Sequence, residues 1–412
     1  MQEDSYMIII PRDPAIIYDP KAFFVNMKQK ENIVVEKAGF NEKRGVEIDL
    51  KIDDRPYRIW VSPTDVEIPR FVRLGHQFTE EELKQIDAVK KGLSVNMIYE
   101  GDCRQCYYDQ LRLIDAMIPD KLAVLDCPSE KLLSGRWVEL TARSSVMPAP
   151  KYLFTVQAIS TETEEIWLHT HGLKRCGFYE LEILYSTNER SNDHYHIIET
   201  FAYRMIEAKE PVKPGDAVFV AQLDKDLYLV VTAVPWKEAI KYYPQATLGL
   251  EEDRGDEVHS EDTYVIMAYR SPQDEEDRHY TPVQVYDEPL KKNPMFYIST
   301  SETKRMSQLA RERMDYMVKG FENKDNFVLA KIGVATDKNY WDESNEGSKR
   351  EHIWFEVKEI QGDQITAVLT QEPYYVSGMK EGDVGHYTFD DVTDWLVFTK
   401  ERRISPDDAY LL

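Results

Sequence analysis

Hydrophobic and polar positions alternate in short runs along the first 150 residues. Runs of β-branched and aromatic residues between Pro, Gly or Asp are typical of strands, and five occur, at 6–10, 46–52, 57–61, 93–99 and 122–125. Helical periodicity marks 21–29, 79–91 and 107–118, and the second of these opens with a Thr79-x-x-Glu82 capping box. A tight turn at 53–56 favours antiparallel pairing. We therefore predict an N-terminal α+β domain over residues 1–150, an α/β sandwich with a mostly antiparallel sheet.

The next hundred residues have a mainly β pattern. Strand candidates lie at 151–159, 165–171, 179–185, 217–223 and 227–233, with one amphipathic helix over 197–206. His194 falls on the apolar stripe of that helix, which predicts a partly buried structural histidine. Residues 151–250 thus form a β-rich domain with one helix, either separate from the first domain or continuous with it. The acidic stretch 251–262 is typical of a solvated linker.

A third unit is predicted over residues 263–412. A Ser299-x-x-Glu302 capping box precedes a helical apolar face over 306–321, and strand patterns follow at 327–334, 352–360, 364–370, 384–389 and 393–399. A helix followed by a small bent β-sheet or barrel is the simplest architecture for this order. The fold class predicted for the whole chain is α+β.

Two parts of the chain resemble known families. The C-terminal part, from Glu302 to about Asp407, resembles the uncharacterised bacterial YegJ-like domain family in four motifs: Met306-Ser-Gln-Leu-Ala-Arg, Glu351-His-Ile-Trp354, Lys380-Glu-Gly-Asp383 and Asp394-Trp395. The segments Trp167-Leu-His-Thr-His-Gly-Leu and Glu180-Leu-Glu-Ile183, with much of the chain before them, resemble a second bacterial family of unknown function that often precedes such a domain. The resemblance implies a fold and assigns no activity.

Composition and charge narrow the class of protein. The chain is 42% hydrophobic and 11% aromatic, as expected of a globular protein. Its 74 acidic residues outnumber 51 basic ones, for a formal net charge of −23, which argues against a nucleic-acid partner because phosphate binding needs a surplus of Lys and Arg. The longest apolar run, 227–234, is too short to span a membrane. With four cysteines and no export signal, we expect a cytoplasmic protein.

One predicted hairpin could hold a metal. On a strand, Trp167, His169 and His171 share a face. If residues 172–177 form the hairpin loop, His169 lies opposite Glu180 and Trp167 opposite Glu182. Two imidazoles and two carboxylates would suit zinc, iron or manganese, with Glu182 as a fourth ligand or general base. The alternative is an ordinary cross-strand polar pair, so no cofactor is expected, although a divalent transition metal is compatible with the pattern.

A pair of cysteines is a second candidate site, and its chemistry would be redox. Cys103 and Cys106 lie between a predicted strand and a predicted helix, where redox-active pairs occur and where a helix N-terminus lowers the pKa of a thiol. Asp102 opposes that effect, and no Trp precedes the first cysteine. The pair is absent from the second family's pattern, which makes any role specific to this chain. Two thiols of ordinary reactivity are the alternative.

Binding is predicted in preference to catalysis. The chain has no G-x-S-x-G, phosphate-loop, H-E-x-x-H or G-x-G-x-x-G motif. Aromatic residues in loops are typical of protein-binding surfaces, although they also pack beneath loops; the candidates are Tyr340, Trp341, Tyr374 and Tyr375, with Trp167 in the hairpin. We predict a protein-binding or regulatory module, a class that includes toxin-neutralising proteins, with a protein partner whose basic surface would complement the acidic chain. A metal-dependent enzyme built on the His-x-His hairpin is the alternative.

Overall fold

The chain divides into two compact units. The computed structural model describes residues 3–162, 164–208, 212–255, 263–292, 295–296, 300–341 and 349–412. Unit 1 comprises Met1–Ala142 and Ala149–Tyr297, and unit 2 comprises Arg143–Pro148 and Ile298–Leu412. None of the helices in the described ranges is both long and apolar enough to cross a membrane.

Unit 1 begins with a seven-stranded antiparallel sheet, the first sheet, in the order β2-β3-β4-β5-β1-β6-β7. Asp53 and Asp54 both have positive φ, which is the geometry of the tight turn that joins β3 to β4. Thr79 and Glu82 form the predicted capping box at the start of α2. The elements are β1 Ser5–Pro11, α1 Pro20–Lys28, β2 Ile33–Asn41, β3 Gly45–Ile52, β4 Arg55–Asp65, α2 Glu80–Ala88, β5 Lys91–Met97, α3 Cys103–Met117, β6 Lys121–Asp126, β7 Lys131–Ser134 and α4 Gly135–Arg143.

The second sheet of unit 1 has the order β15-β11-β12-β13-β10-β9-β8, with β14 paired to β13. Its pairs are antiparallel except β10 with β13. Residues 263–292, which the sequence pattern assigns to the third unit, lie in unit 1, because β13 is hydrogen-bonded between β10 and β12. The elements are β8 Thr155–Ser160, β9 Glu165–His171, β10 Leu181–Thr187, α5 Ser191–Glu207, β11 Val218–Asp224, β12 Leu227–Pro235, α6 Trp236–Ala239, β13 Tyr264–Tyr269, α7 Pro272–Glu276, β14 Thr281–Pro282, α8 Asp287–Leu290 and β15 Met295–Phe296.

Unit 2 contains the third sheet, an open antiparallel sheet in the order β19-β18-β17-β16-β20-β21. The predicted small C-terminal β-sheet is confirmed. The sheet is open and is not closed into a barrel, which was the other predicted form. The predicted capping residue Ser299 lies outside the described residues. The elements are α9 Thr300–Glu312, α10 Met314–Glu322, β16 Phe327–Ala335, β17 Arg350–Gln361, β18 Gln364–Leu369, β19 Val384–Thr388, β20 Val392–Phe398 and β21 Arg403–Ile404.

Unit 2 includes the short segment Arg143–Pro148, which is separated in sequence from the rest of the unit. Ser144 and Ser145 belong to this unit and hold the carboxylate of Glu312 at the end of α9. The Ser144 hydroxyl donates to it at 2.5 Å, and the Ser145 amide donates at 2.8 Å. The segment 143–148 is therefore part of the unit's structure as well as a connection along the chain.

Candidate functional site

The predicted hairpin forms, with a register different from the expected one. His169 pairs with Glu182, and not with Glu180. The loop contains a 3-10 turn over Lys174–Cys176, ended by Gly177 at φ 78°, and β10 starts only at Leu181. This longer connection moves the pairing by two residues along β10. The prediction that Trp167, His169 and His171 share a face agrees with their ring contacts, at centroid distances of 5.1 and 4.7 Å.

The two hairpin carboxylates are already bonded within the protein. Glu180 is buried and accepts hydrogen bonds from the Thr170 hydroxyl at 2.6 Å, the Gly172 amide at 2.9 Å and the Lys174 amide at 3.1 Å. Burial raises the pKa of the Glu180 carboxyl, and these hydrogen bonds oppose that rise. Glu180 therefore stabilises the hairpin loop by binding the end of β9 and two amides of the loop.

Glu182 has a different partner, which the sequence pattern did not reveal. The buried guanidinium of Arg254 binds both carboxylate oxygens of Glu182, at 2.9 and 2.5 Å, and lies over the rings of Trp167 and Trp236. Arg254 falls in the acidic stretch predicted to be a linker, yet it is buried in unit 1. Trp167, predicted as a binding residue, is only 1% exposed within the same core, and this burial does not favour contact with a partner.

Metal binding by His169 and His171 remains a prediction. Within the described ranges, no group of three or more His, Cys, Asp or Glu side chains could hold a metal ion. The acids predicted as ligands, Glu180 and Glu182, would have to leave the partners described above. Metal analysis of the purified protein beside a His169→Ala/His171→Ala variant tests the prediction directly.

The two predicted redox cysteines have different interactions. Cys103 is the first residue of α3, and interaction with Cys176 lowers the pKa of its thiol against the opposing effect of burial. The Cys106 thiol donates instead to the Glu100 carbonyl oxygen at 3.4 Å. Burial raises the pKa of Cys106 to about 11. The redox role of Cys103 and Cys106 stays a prediction, and the two thiols have different surroundings within the same helix.

A Ser-His-Asp chain of hydrogen bonds, in which the Ser and His are buried and the Asp is half-buried, joins β10, α5 and α8. The Ser186 hydroxyl lies 2.7 Å from Nδ1 of His194, and Nε2 of His194 lies 3.0 Å from Asp287. These residue types resemble a catalytic triad, but Ser186 and His194 have no exposed surface, and a nucleophile must reach its substrate. His194 is therefore a structural histidine that links three elements.

A buried ion pair joins the first and second sheets of unit 1. Arg175, in the hairpin loop, binds both oxygens of Asp126 on β6, at 2.6 and 2.9 Å, and donates to the Leu153 carbonyl at 2.6 Å. Asp126 also accepts from Ser129, while Arg175 lies over the rings of Tyr99 and Tyr107. Burial opposes the charge on Arg175, but the carboxylate of Asp126 outweighs it and keeps the pKa of the guanidinium above its ordinary value. The pair is structural, and no local motif indicates it.

Two open clefts lie beside α2. One, of about 500 Å³, has an apolar floor that includes Ile17 and Leu122, with Arg12, Lys90 and Lys91 among its lining residues. The other, of about 570 Å³, is lined by residues 65–68, 73, 86–87 and 89–90. None of the residues predicted to be functional lines either cleft.

Four of the predicted binding aromatics come together in unit 2. Tyr340 is 47% exposed, Trp341 45%, Tyr374 79% and Tyr375 49%. The ring of Tyr375 lies 5.2 Å from that of Tyr340 and 6.3 Å from that of Tyr374. These four residues are called the aromatic cluster below.

The loops that carry the aromatic cluster are held by hydrogen bonds. The carboxylate of Glu351 accepts from the amides of Tyr374 and Tyr375, at 2.9 and 2.8 Å. The Asp337 amide donates to the Tyr375 carbonyl at 2.9 Å, and the Asp337 carboxylate accepts from the Ser377 amide at 3.0 Å. Glu351, near the start of β17, therefore holds the Tyr374–Tyr375 loop to the third sheet, and Asp337 joins the two loops. The sequence analysis assigned neither role.

A buried acid in unit 2 makes its stability depend on pH. Burial raises the pKa of Asp394 to about 6, against the opposing hydrogen bond from the Trp395 amide. An acid whose pKa is higher in the folded state favours folding below its ordinary pKa of 3.8, and this advantage is lost as the pH rises through about 6.

We expect Asp394→Asn to stabilise unit 2 above pH 6, by up to roughly 3 kcal/mol, because two pKa units correspond to about that much. Urea unfolding of both proteins at pH 5 and pH 8 measures the effect. The exposed Asp390→Asn is the control and should keep the wild-type pH dependence. An equal gain for Asp394→Asn at both pH values would contradict the assignment.

Three domain families match the chain. The N-terminal domain of a protein of unknown function (DUF4026) matches residues 5–148, and its C-terminal domain matches residues 156–267. An uncharacterised protein conserved in bacteria (DUF2314) matches residues 301–405. No curated protein and no solved structure matches the chain. The predicted order, one bacterial domain of unknown function preceded by another, is thereby confirmed: the chain contains the N- and C-terminal DUF4026 domains followed by a DUF2314 domain.

Proposed function

We propose that this protein is a binding module that recognises a protein partner through the aromatic cluster of its DUF2314 domain. The observation that carries the proposal is the exposure of Tyr340, Trp341, Tyr374 and Tyr375 at one place, on two different loops. Tyr and Trp are enriched among the residues that dominate binding energy, because they offer a large contact area at a small cost in conformational entropy. A regulatory or toxin-neutralising role would act through this same surface.

The loops are ordered before a partner arrives. Glu351 holds two consecutive amides of one loop, and the Trp341 indole donates to the Thr336 carbonyl at 3.1 Å in the other. A loop that is already fixed loses less conformational entropy on binding, and more of the contact energy then appears as affinity. Exposed aromatics on ordered loops are suited to recognition.

The sequence segments that carry the aromatic cluster have a surplus of acidic residues, which favours a basic partner. Segments 337–351 and 371–383 contain eight acidic and four basic residues, and 342–348 lie outside the described residues. Acidic residues attract a cationic surface and speed encounter, and Tyr and Trp rings bind Arg and Lys side chains through cation–π contacts. We therefore expect an Arg-rich or Lys-rich segment as the target.

An array of Arg/Lys-rich peptides, with acidic peptides of equal length beside them, tests the proposal on the full chain. Selected peptides are then titrated by fluorescence anisotropy at low and high salt. Tyr374→Ala/Tyr375→Ala should weaken the binding of cationic peptides by about 2 kcal/mol, or roughly 30-fold.

The matched control is Phe219→Ala/Tyr228→Ala, which removes another exposed aromatic pair, in unit 1, with ring centroids 6.0 Å apart. This control should leave the affinity unchanged. Equal affinity of cationic and acidic peptides, or an equal loss in both double variants, would overturn the proposal.

A further inference from the structure

The cleft of about 500 Å³ beside α2 has the apolar floor of a small-molecule site. Ile17, from the 3-10 turn Pro14–Tyr18, and Leu122, on β6, are buried side chains of this floor. Ala88 and Val89, at the end of α2, also line the cleft. Its volume lies in the range of sites that bury the apolar part of a ligand. This space is called the α2 cleft below.

The charged side chains of the α2 cleft all have the same sign. Among the described residues that line it, the charged ones are Arg12, Lys90 and Lys91. The whole chain carries 74 acidic and 51 basic residues, so a lining with three cations and no carboxylate departs from the composition of the protein. The α2 cleft is therefore complementary to an anion that has an apolar part.

Two of the three cations have carboxylate partners, and these partners lie outside the lining of the cleft. Nε of Arg12 is 3.1 Å from the Asp120 carboxylate, and Nζ of Lys91 is 2.7 Å from the Asp65 carboxylate. In the described part of the chain, Lys90 forms no ion pair, and its side chain is exposed. Three cations and two carboxylates leave one positive charge at the cleft.

The Arg12 guanidinium is held in place by α2. Its Nη1 donates to Oε1 of Gln85 at 3.0 Å, and the Gln85 amide donates to Glu81, one turn earlier, at 2.8 Å. Nε is taken by Asp120, so Nη2 keeps its donors for a ligand within the described structure. A guanidinium that is already fixed loses little conformational entropy when it binds a carboxylate.

We propose that the α2 cleft binds a small apolar carboxylate of the fatty-acid class. The hydrocarbon part of the ligand lies on Ile17 and Leu122, where burial of its methylene groups drives binding. The carboxylate accepts hydrogen bonds from Lys90 and from Nη2 of Arg12, and such charged bonds orient the ligand. A head group with a single negative charge matches the single positive charge at the cleft. This site lies in unit 1, and the aromatic cluster takes no part in it.

The test is a titration of the folded full-length protein with octanoate, followed in methyl NMR spectra. We expect saturable shifts of the Ile17, Val89 and Leu122 methyl signals. 1-Octanol supplies the chain without the charge, and acetate supplies the charge without the chain. Each should bind roughly tenfold more weakly or worse, because octanol lacks the charged hydrogen bonds and acetate lacks the buried methylene groups.

Arg12→Gln/Lys90→Gln should weaken octanoate binding by about tenfold or more, because both cations that contact the carboxylate are lost. The matched control, Arg58→Gln/Lys84→Gln, removes the same charge from exposed side chains outside the cleft and should keep the wild-type affinity. All four side chains are exposed, and a urea titration checks that both double variants fold. Equal affinity for octanoate and 1-octanol, equal losses in the two double variants, or shifts only of methyl groups outside the cleft would overturn the proposal.

Discussion

Arg175→Met should lower the free energy of unfolding of unit 1 by about 3–5 kcal/mol, since it leaves the Asp126 carboxylate buried without its charged partner. Both side chains of this pair are fully buried, so water cannot replace the lost guanidinium. Hydrogen exchange of the β1 and β6 amides reports the stability of this region separately from unit 2.

An exposed pair of similar geometry is the control for this experiment. Arg58 binds Asp49 at 2.6 Å, the same distance as Arg175 to Asp126, but the Arg58 side chain is 58% exposed. Arg58→Met should cost less than about 1 kcal/mol. Arg175→Met/Asp126→Leu should recover most of the lost stability, because no charge remains buried. A double variant as unstable as Arg175→Met would show that the loss has another origin.

Trp395→Ala should destabilise unit 2 by about 3–5 kcal/mol, the range for removing a fully buried large aromatic side chain. Trp395 on β20 has no exposed surface, and its indole donates to the Ala310 carbonyl of α9 at 3.1 Å. Its loss leaves a cavity beneath α9 and an unsatisfied carbonyl. Urea unfolding, followed by hydrogen exchange of the β16 and β20 amides, measures the effect.

Trp341 provides a tryptophan control within the same unit. It also donates its indole hydrogen to a carbonyl, that of Thr336, but is 45% exposed. Trp341→Ala should cost about 1 kcal/mol or less while weakening the proposed partner binding. Equal losses of stability for the two variants would contradict the assignment of Trp395 to the core and of Trp341 to the surface.

Local sequence patterns predicted where the helices and strands lie better than they predicted which residues contact each other. The Thr79-Glu82 capping box and the amphipathic stripe of α5 depend on residues only a few positions apart, so the sequence displays them directly. The pairing of His169 could not be predicted, because it depends on the 3-10 turn at Lys174–Cys176, which has no strong sequence signature.

The charged contacts of the candidate sites could not be predicted from the sequence, for a different reason. Arg254 is 72 residues from Glu182, and Arg175 is 49 residues from Asp126. Nothing in the local pattern distinguishes these arginines from solvated ones. The exposed aromatics were predicted as candidates from their loops, but the sequence does not reveal that the loop of Tyr374 is held by Glu351, 23 residues before it.

The segment that holds Glu312 has a consequence for folding on the ribosome. Ser145 and Glu312 are 167 residues apart, and synthesis adds roughly 5–20 residues per second. The segment 143–148 therefore leaves the ribosome roughly 10–30 s before its partner exists. The second part of unit 1, Ala149–Tyr297, is made in that interval, and unit 2 can close around segment 143–148 only after Ile298–Leu412 has been made.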